Sequence, residues 1–253
     1  MIKVTLIGSG NVAQHLLKAF VKNPDIELVE VVARTKKELV SFLPAEKIVI
    51  SCEAMLPTDV VIIAVSDNAI EKVSAQITLK DTLVVHTSGT IPMNILDDKN
   101  KKGVFYPLQT FSKFKEVDFR VIPIAIEAQN EESVALLEKV GKSISNHVQQ
   151  IDSSQRKTLH VAAVFVCNFV NHLYQIGNEI CDENNLSFDL LKPLIVETAH
   201  KIKTLSPSEA QTGPAKRHDT VTINSQLNFL TNETQKEIYK LLTQSIINHG
   251  KKL

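Results

Sequence analysis

Residues 4–13, VTLIGSGNVA, constrain the fold of this chain more than any other stretch. Residues 4–7 read as a buried strand, and residues 11–20 as a helix with Leu16, Leu17 and Phe20 facing inward. Between them, Gly8-Ser9-Gly10-Asn11-Val12-Ala13 has the spacing G-x-G-x-x-A. In a strand–turn–helix unit this spacing suits a dinucleotide. Gly8 permits the tight turn, Gly10 lets a pyrophosphate approach the backbone, and Ala13 lets the helix pack close to the sheet. The helix N-terminus then offers free N–H groups and a positive dipole end to the phosphates. Glycines punctuate many turns, so the motif alone is weak evidence. Its place at the first strand of an alternating series supplies the context it needs.

That series is legible. Strands are expected at residues 28–33, 47–50, 60–65 and 82–86, with helices at 36–42 and 67–77. Residues 60–65, VVIIAV, are almost continuously apolar, as a strand covered on both faces should be. Alternation of this kind implies an α/β fold: a doubly wound, parallel, Rossmann-type sheet with helices on both faces. Further strands are expected at 104–106, 121–126 and 148–151, with a helix at 131–142. After Ile151 the strand signature disappears. Helices are expected from Ser153, Ser187, Thr220 and Asn232, with Pro193 kinking or restarting the second. The expected organisation is a dinucleotide-binding domain over 1–151 and an all-helical C-terminal domain over 152–253.

The end of the second strand bears on which dinucleotide is bound. An acid there would hold the ribose 2′-OH of NAD, whereas an arginine would accommodate the 2′-phosphate of NADP. Arg34, Thr35, Lys36 and Lys37 offer a guanidinium fork, a hydroxyl and positive charge, which favours NADP. Glu30 lies within the usual spacing for a ribose ligand and keeps NAD open, although the strand pattern continues beyond it. Ser66 and Asp67 follow the VVIIAV strand at the carboxyl edge the cofactor must cross. They read equally as N-caps of the next helix.

Lysine plus arginine and aspartate plus glutamate number 28 each, so no charge excess points to a nucleic-acid or membrane-surface partner. The three cysteines lack metal-ligand spacing, and no metal site is expected. Residues 159–173 are apolar but carry Asn168, Asn171 and His172, and read as too short and too polar to span a bilayer. A soluble cytoplasmic protein is the resulting expectation.

The segments GSGNVA, VVARTKK, AVSDNAI, HTSGT (86–90) and FYPLQTF (105–111) together resemble the 6-phosphogluconate-dehydrogenase-like Rossmann superfamily. That group includes pyrroline-5-carboxylate reductase and ketopantoate reductase. The chain is most similar to an uncharacterised branch of predicted NADP-dependent oxidoreductases with a C-terminal helical domain of unknown function. HVAAVFVCN (160–168) and TGPAKRHD (212–219) extend the resemblance over nearly the whole chain. His218 departs from it, since a small residue such as glycine is expected there. The resemblance implies that the helical domain makes a homodimer and closes a cleft over a small-molecule substrate. It does not name that substrate.

Hydride transfer also needs a group that gives or takes a proton at the reacting heteroatom. His86 ends a strand at the edge expected to face the nicotinamide, and Ser88 follows in the loop. They are candidates for catalysis, or for a turn that only walls the pocket. Tyr106, Gln109 and Thr110 are candidate substrate or carboxamide ligands. On the long apolar helix, His160, Asn171 and Asn178 fall nearly on one line, with Lys157 and Asn168 beside it. A largely buried helix with one polar stripe is expected; each stripe residue alone reads as hydrogen-bonded to a neighbouring helix, and the sharper reading turns the stripe to the cleft, with His160, Lys157 or Asn168 as catalytic candidates. Thr212, Arg217 and Asp219 follow a helix break and could hold a substrate carboxylate; Arg217 and Asp219 could equally be a surface pair. The expected activity is NADP-dependent hydride transfer to or from an imine, keto acid or aldehyde. The alternatives are a non-catalytic NADP(H) sensor and, less suited to Arg34, an S-adenosylmethionine-dependent methyltransferase.

Overall fold

The computed structural model describes residues 1–34 and 39–250. Eight strands form one sheet in the order β3-β2-β1-β4-β5-β6-β7-β8. They are β1 (Ile2–Ile7), β2 (Ile26–Val32), β3 (Ile48–Val49), β4 (Val60–Ile63), β5 (Leu83–His86), β6 (Lys101–Pro107), β7 (Ile124–Ala128) and β8 (Val148–Gln150). The first six follow the order of a doubly wound dinucleotide-binding sheet, which reverses between β1 and β4. All neighbours are parallel except β6 and β7. No crossover helix joins that pair, so β7 returns antiparallel along β6.

The sequence explains the packing. Helix α1 (Asn11–Val21) buries Ala13, Leu16, Leu17 and Phe20 completely, at spacings that keep one face inward. Every residue of β4 is fully buried, as its unbroken apolar run requires. Helix α2 (Ile70–Gln76) is preceded by a tight turn over Asp67–Ala69, and α3 (Glu131–Ile144) is capped by Asn130, whose side chain accepts the Ser133 N–H. The helix expected at 36–42 lies partly outside the described residues. Within them, Leu39 to Leu43 make a single turn, closed by the Phe42 and Leu43 N–H groups on the Leu39 carbonyl.

Beyond β8 the chain is helical. Asp152 and Gln155 form a reciprocal capping box at the start of α4 (Ser153–Ala163). A π-helical turn over Val164–Phe169 follows, and α5 (Val170–Glu183) continues the same rod. Then come α6 (Lys192–Lys201), with Pro193 in its first turn, the short α7 (Pro207–Ala210), α8 (Thr220–Phe229) and α9 (Glu233–Gly250).

The chain divides into two compact units, Met1–Cys167 and Asn168–Leu253. Strand structure ends at Gln150, but α4 stays with the first unit because its side chains pack on the sheet. Arg156 is 1% exposed, pairs with Glu127 of β7 and donates to the Ile91 carbonyl at 2.6 Å.

The rod Ser153–Glu183 has 31 residues and is long and apolar enough, by length and composition alone, to cross a membrane. One expectation about it is corrected: it is not largely buried in the chain, since Val161, Phe165, Val166 and Phe169 are 51%, 63%, 68% and 50% exposed. Its N-terminal third is nevertheless bound to the sheet through Arg156 and His160.

Candidate active site

The carboxyl ends of β1, β2, β4, β5 and β6 share one edge of the sheet, and the sequence-predicted residues of the first unit gather there. Gly8 leaves β1 at φ +129°, and an added Cβ would lie 2.2 Å from the Ala64 carbonyl oxygen. Both facts require glycine. At Gly10 an added Cβ would meet nothing within 4 Å, so the backbone at the start of α1 faces open space. Gly10 occupies the N-cap with no side chain to satisfy the first N–H groups of α1. Ser9 is held through its carbonyl, which accepts from Gln14 at 2.8 Å, while Asn11 is exposed and Val12 half-buried. The cradle is therefore open where a pyrophosphate would enter.

Arg34 is exposed immediately beyond β2 and carries no ion pair among the described residues. Thr35 and Lys36, named above with it, lie outside the described residues. Glu30 is 2% exposed, and its carboxylate accepts the Leu56 N–H at 2.9 Å. It is engaged inside the sheet and does not reach the edge where a ribose would lie. Ser66 and Asp67 are exposed after β4. Ser66 holds the cap position but donates to Asn68 at 2.8 Å instead of capping the turn.

The next two loops carry the polar chemistry. His86 is completely buried at the end of β5; its Nδ1 accepts the Ser88 N–H at 3.2 Å, and its Nε2 has no hydrogen-bond partner among the described residues. Burial, helped by the nearby Arg156 charge and opposed by the Pro92 backbone, lowers its pKa to about 4. His86 is thus a neutral imidazole that shapes the turn, without access to a substrate. Ser88 is 7% exposed, and its hydroxyl oxygen accepts the N–H groups of Thr90 and Ile91 at 3.1 and 3.0 Å. It closes the same turn.

That turn admits a closer pair. The Tyr106 hydroxyl, at the end of β6, lies 2.9 Å from Nδ1 of His160 on α4, and their rings meet edge-on with centroids 6.0 Å apart. A Cβ on Gly89 would lie 2.5 Å from His160 Nδ1 and 2.8 Å from Tyr106 Cζ. Only glycine lets the β5 loop pass beneath both rings. Tyr106 is 9% exposed, and burial raises its pKa; Arg156 works against this, while Cys167 and Asp67 reinforce it. Its hydroxyl therefore stays protonated through neutral pH.

Arg156, one helical turn before His160, fixes the arrangement. It pairs with Glu127 and donates to Ser153 at 3.1 Å, while the Ser153 hydroxyl donates to Glu127 at 2.8 Å. Sequence reasoning missed this cluster, although the i, i+4 spacing of Arg156 and His160 places both on one face.

Gln109 and Thr110 are exposed beyond β6, and the Gln109 amide oxygen accepts from the Thr110 N–H at 2.7 Å. Their segment reaches the cofactor helix: Asn11 donates to the Phe111 carbonyl at 3.2 Å, and His15 Nε2 lies 3.0 Å from the Ser112 carbonyl oxygen. A cavity of about 380 Å³ lies along the same helix toward its other end, lined by Lys18, Lys22, Asp118 and Arg120, away from this edge.

The remaining candidates belong to the second unit. Thr212, Arg217 and Asn168 are exposed, and Lys157, on α4, is exposed too. Asp219 caps α8 by accepting the Thr222 N–H at 3.0 Å and its hydroxyl at 2.8 Å; these bonds lower its pKa. A π-helical turn, Val164–Phe169, interrupts the α-helical spacing on which the polar line from His160 to Asn171 and Asn178 rests.

Residues 3–89 match the family described as "NADP oxidoreductase coenzyme F420-dependent", and residues 122–246 match a domain of unknown function, DUF2520. No curated protein matches the chain. Among solved structures, a candidate NADP oxidoreductase from Bacteroides fragilis is 38% identical over 98% of both chains, with a TM-score of 0.87. A protein from Thermotoga maritima is 24% identical over 97% of this chain and 99% of its own, with a TM-score of 0.76. A pyrroline carboxylate reductase from Plasmodium falciparum, solved with NADP bound, shares the fold at 13% identity and a TM-score of 0.64, covering 99% of this chain and 97% of its own. On the strength of the Bacteroides fragilis match and of both family regions, the chain belongs to the NADP oxidoreductases that join a Rossmann domain to a DUF2520 domain.

Proposed function

We propose that this protein is a cytoplasmic, NADP-dependent reductase of small polar substrates. The cradle at the edge of the sheet carries the reading: Gly8 and Gly10 open the start of α1, and the exposed Arg34 stands at the end of β2. The N-terminal N–H groups of α1 would hold the pyrophosphate, and the Arg34 fork the 2′-phosphate. When bound, NADPH supplies a hydride. Ser66 and Asn68 follow β4 at the same edge, on the side of β1 away from Arg34.

The second unit supports a homodimer as part of this proposal. Leu190, Leu194, Val221, Phe229 and Leu241 are 60–80% exposed, a density of large apolar groups that a stable single chain would not leave in water. A second copy of the same face is the simplest cover, since self-complementary two-fold contacts dominate homo-oligomers.

The test of the cofactor reading is a fluorescence titration with NADPH and NADH, on the wild type and on Arg34→Ala. Losing a charge-assisted bidentate contact should weaken NADPH binding by roughly 10- to 100-fold. NADH binding should change by less than about threefold, since it lacks the phosphate. Equal losses for both nucleotides would sink the 2′-phosphate assignment.

A further inference from the structure

Resting on the proposed reductase reading, we propose that Tyr106 and His160 form the proton-delivering pair of the site, and that its substrate class is a carbonyl compound, an aldehyde or ketone, in preference to an imine. The observations are geometric. The Tyr106 hydroxyl and His160 Nδ1 come together at 2.9 Å from positions 54 residues apart, at the sheet edge that carries the cofactor cradle. Gly89 has no side chain where one would drive the two rings apart. The Arg156–Glu127–Ser153 cluster anchors the turn of α4 that presents His160.

The chemistry follows from what hydride addition leaves behind. Adding a hydride to a carbonyl carbon breaks the C=O π bond and places the electron pair on oxygen, so that oxygen must receive a proton. Adding a hydride to a protonated imine gives a neutral amine and needs no proton in that step. A positively charged imine is best met by a carboxylate in direct contact. Among the described residues, the group hydrogen-bonded to Tyr106 is an imidazole, and the Glu127 carboxylate is engaged by Arg156 and Ser153. Asp67 acts on Tyr106 only through space and holds its proton more firmly.

The carbonyl carbon accepts the hydride while the Tyr106 O–H bond breaks and its proton passes to the carbonyl oxygen, giving an alcohol. The phenolate left behind takes the proton from His160 Nδ1 as Nε2 accepts one from water. One hydride and one water-derived proton are consumed, and both side chains end neutral. His160 is half-buried, and its Nε2 makes no hydrogen bond among the described residues, so water has a route to it.

The experiment follows NADPH oxidation by the wild type with a panel of short aldehydes, ketones and keto acids beside cyclic imines, and repeats it with Tyr106→Phe and His160→Ala. The expected result is turnover of carbonyl compounds, with kcat lowered about 10²- to 10⁴-fold by Tyr106→Phe. NADPH affinity should move less than twofold. His160→Ala should lose a smaller factor and recover part of it with added imidazole, which a purely structural histidine would not show. Tyr106→Phe retaining the wild-type kcat would overturn the pair. Reduction of imines alone, or of nothing in the panel by a wild type that binds NADPH, would overturn the carbonyl assignment and leave the cofactor reading standing. A wild type that does not bind NADPH fails the reductase reading itself, and this inference with it.

Discussion

Phe20, Ile62 and Phe105 of the first unit are completely buried, whereas Leu190, Val221 and Leu241 of the second are 72%, 80% and 72% exposed. The two regions are written in the same apolar alphabet and use it differently. In the first, strand and helix faces close on one another, so the chain supplies its own core. In the second, the buried residues among those described are few, Ala215, Ile223 and Gln235, and the apolar faces of α6, α8 and α9 look outward. An amphipathic pattern reports that a face will be covered. It does not report whether the cover comes from the same chain.

The sharpest way to break this comparison is to truncate one large apolar residue on each side. Phe20→Ala empties a fully buried position and should cost about 3–5 kcal/mol in urea unfolding. Val221→Ser together with Leu190→Ser removes groups already in water in the single chain, so the intrinsic stability of the chain should change by less than about 1 kcal/mol. If the proposed homodimer is covered at this face, the same pair should instead shift the protein from dimer to monomer in sedimentation. A double variant that stays dimeric at low concentration would place the covered face elsewhere.

The asymmetry also explains what the sequence revealed. Elements of the sheet were legible because a buried parallel strand must be apolar throughout, as in residues 60–63, and because only glycine meets the geometry at Gly8. The cofactor cradle was legible for the same reason: backbone constraints leave a mark on residue type. The polar pair was not legible as a pair. Tyr106 and His160 each carried a signal, but their contact depends on how α4 lies on the sheet, and Arg156 decides that through a buried ion pair. The π turn over Val164–Phe169 interrupts the α-helical spacing that the polar stripe assumes, and nothing in VFVCNF announces it. His86 was ambiguous because a histidine at a strand end reads alike whether sealed or open.

Burial in the first unit has a pH signature. His86 has a native pKa of about 4, below its ordinary value of 6.5. Unfolding restores the ordinary value, so between those limits the unfolded chain binds the extra proton. The contribution of His86 is fully present above about pH 6.5 and is lost as pH falls toward 4, on the order of 3 kcal/mol in all. His86→Asn should flatten this part of the stability profile. The measurement is urea unfolding at pH 7 and pH 4.5 for both proteins. An identical decrement in the two would show that His86 contributes nothing to the acid sensitivity.

The smallest effect lies in the second unit, where backbone conformation shows more than burial does. His218 adopts φ +56°, in the left-handed region, at the position where the resembling family leads one to expect glycine. Its N–H still donates to the Ala215 carbonyl at 3.2 Å, and the next residue, Asp219, donates to Pro214 at 2.9 Å and caps α8. The loop therefore holds its shape at a conformational cost of roughly 1–2 kcal/mol, which a glycine would not carry. Glycine gives back part of that gain by loosening the unfolded chain, by about 0.4–1 kcal/mol. His218→Gly should therefore stabilise the protein by about 0.5–1 kcal/mol. In the same loop Gly213 has φ +100° and open space around a built Cβ, so Gly213→Ala should destabilise through backbone strain alone. Opposite shifts in the urea midpoint would show that this loop is set by its backbone even where little core lies beneath it. Two shifts of the same sign would mean that the left-handed geometry at 213 and 218 does not govern its stability.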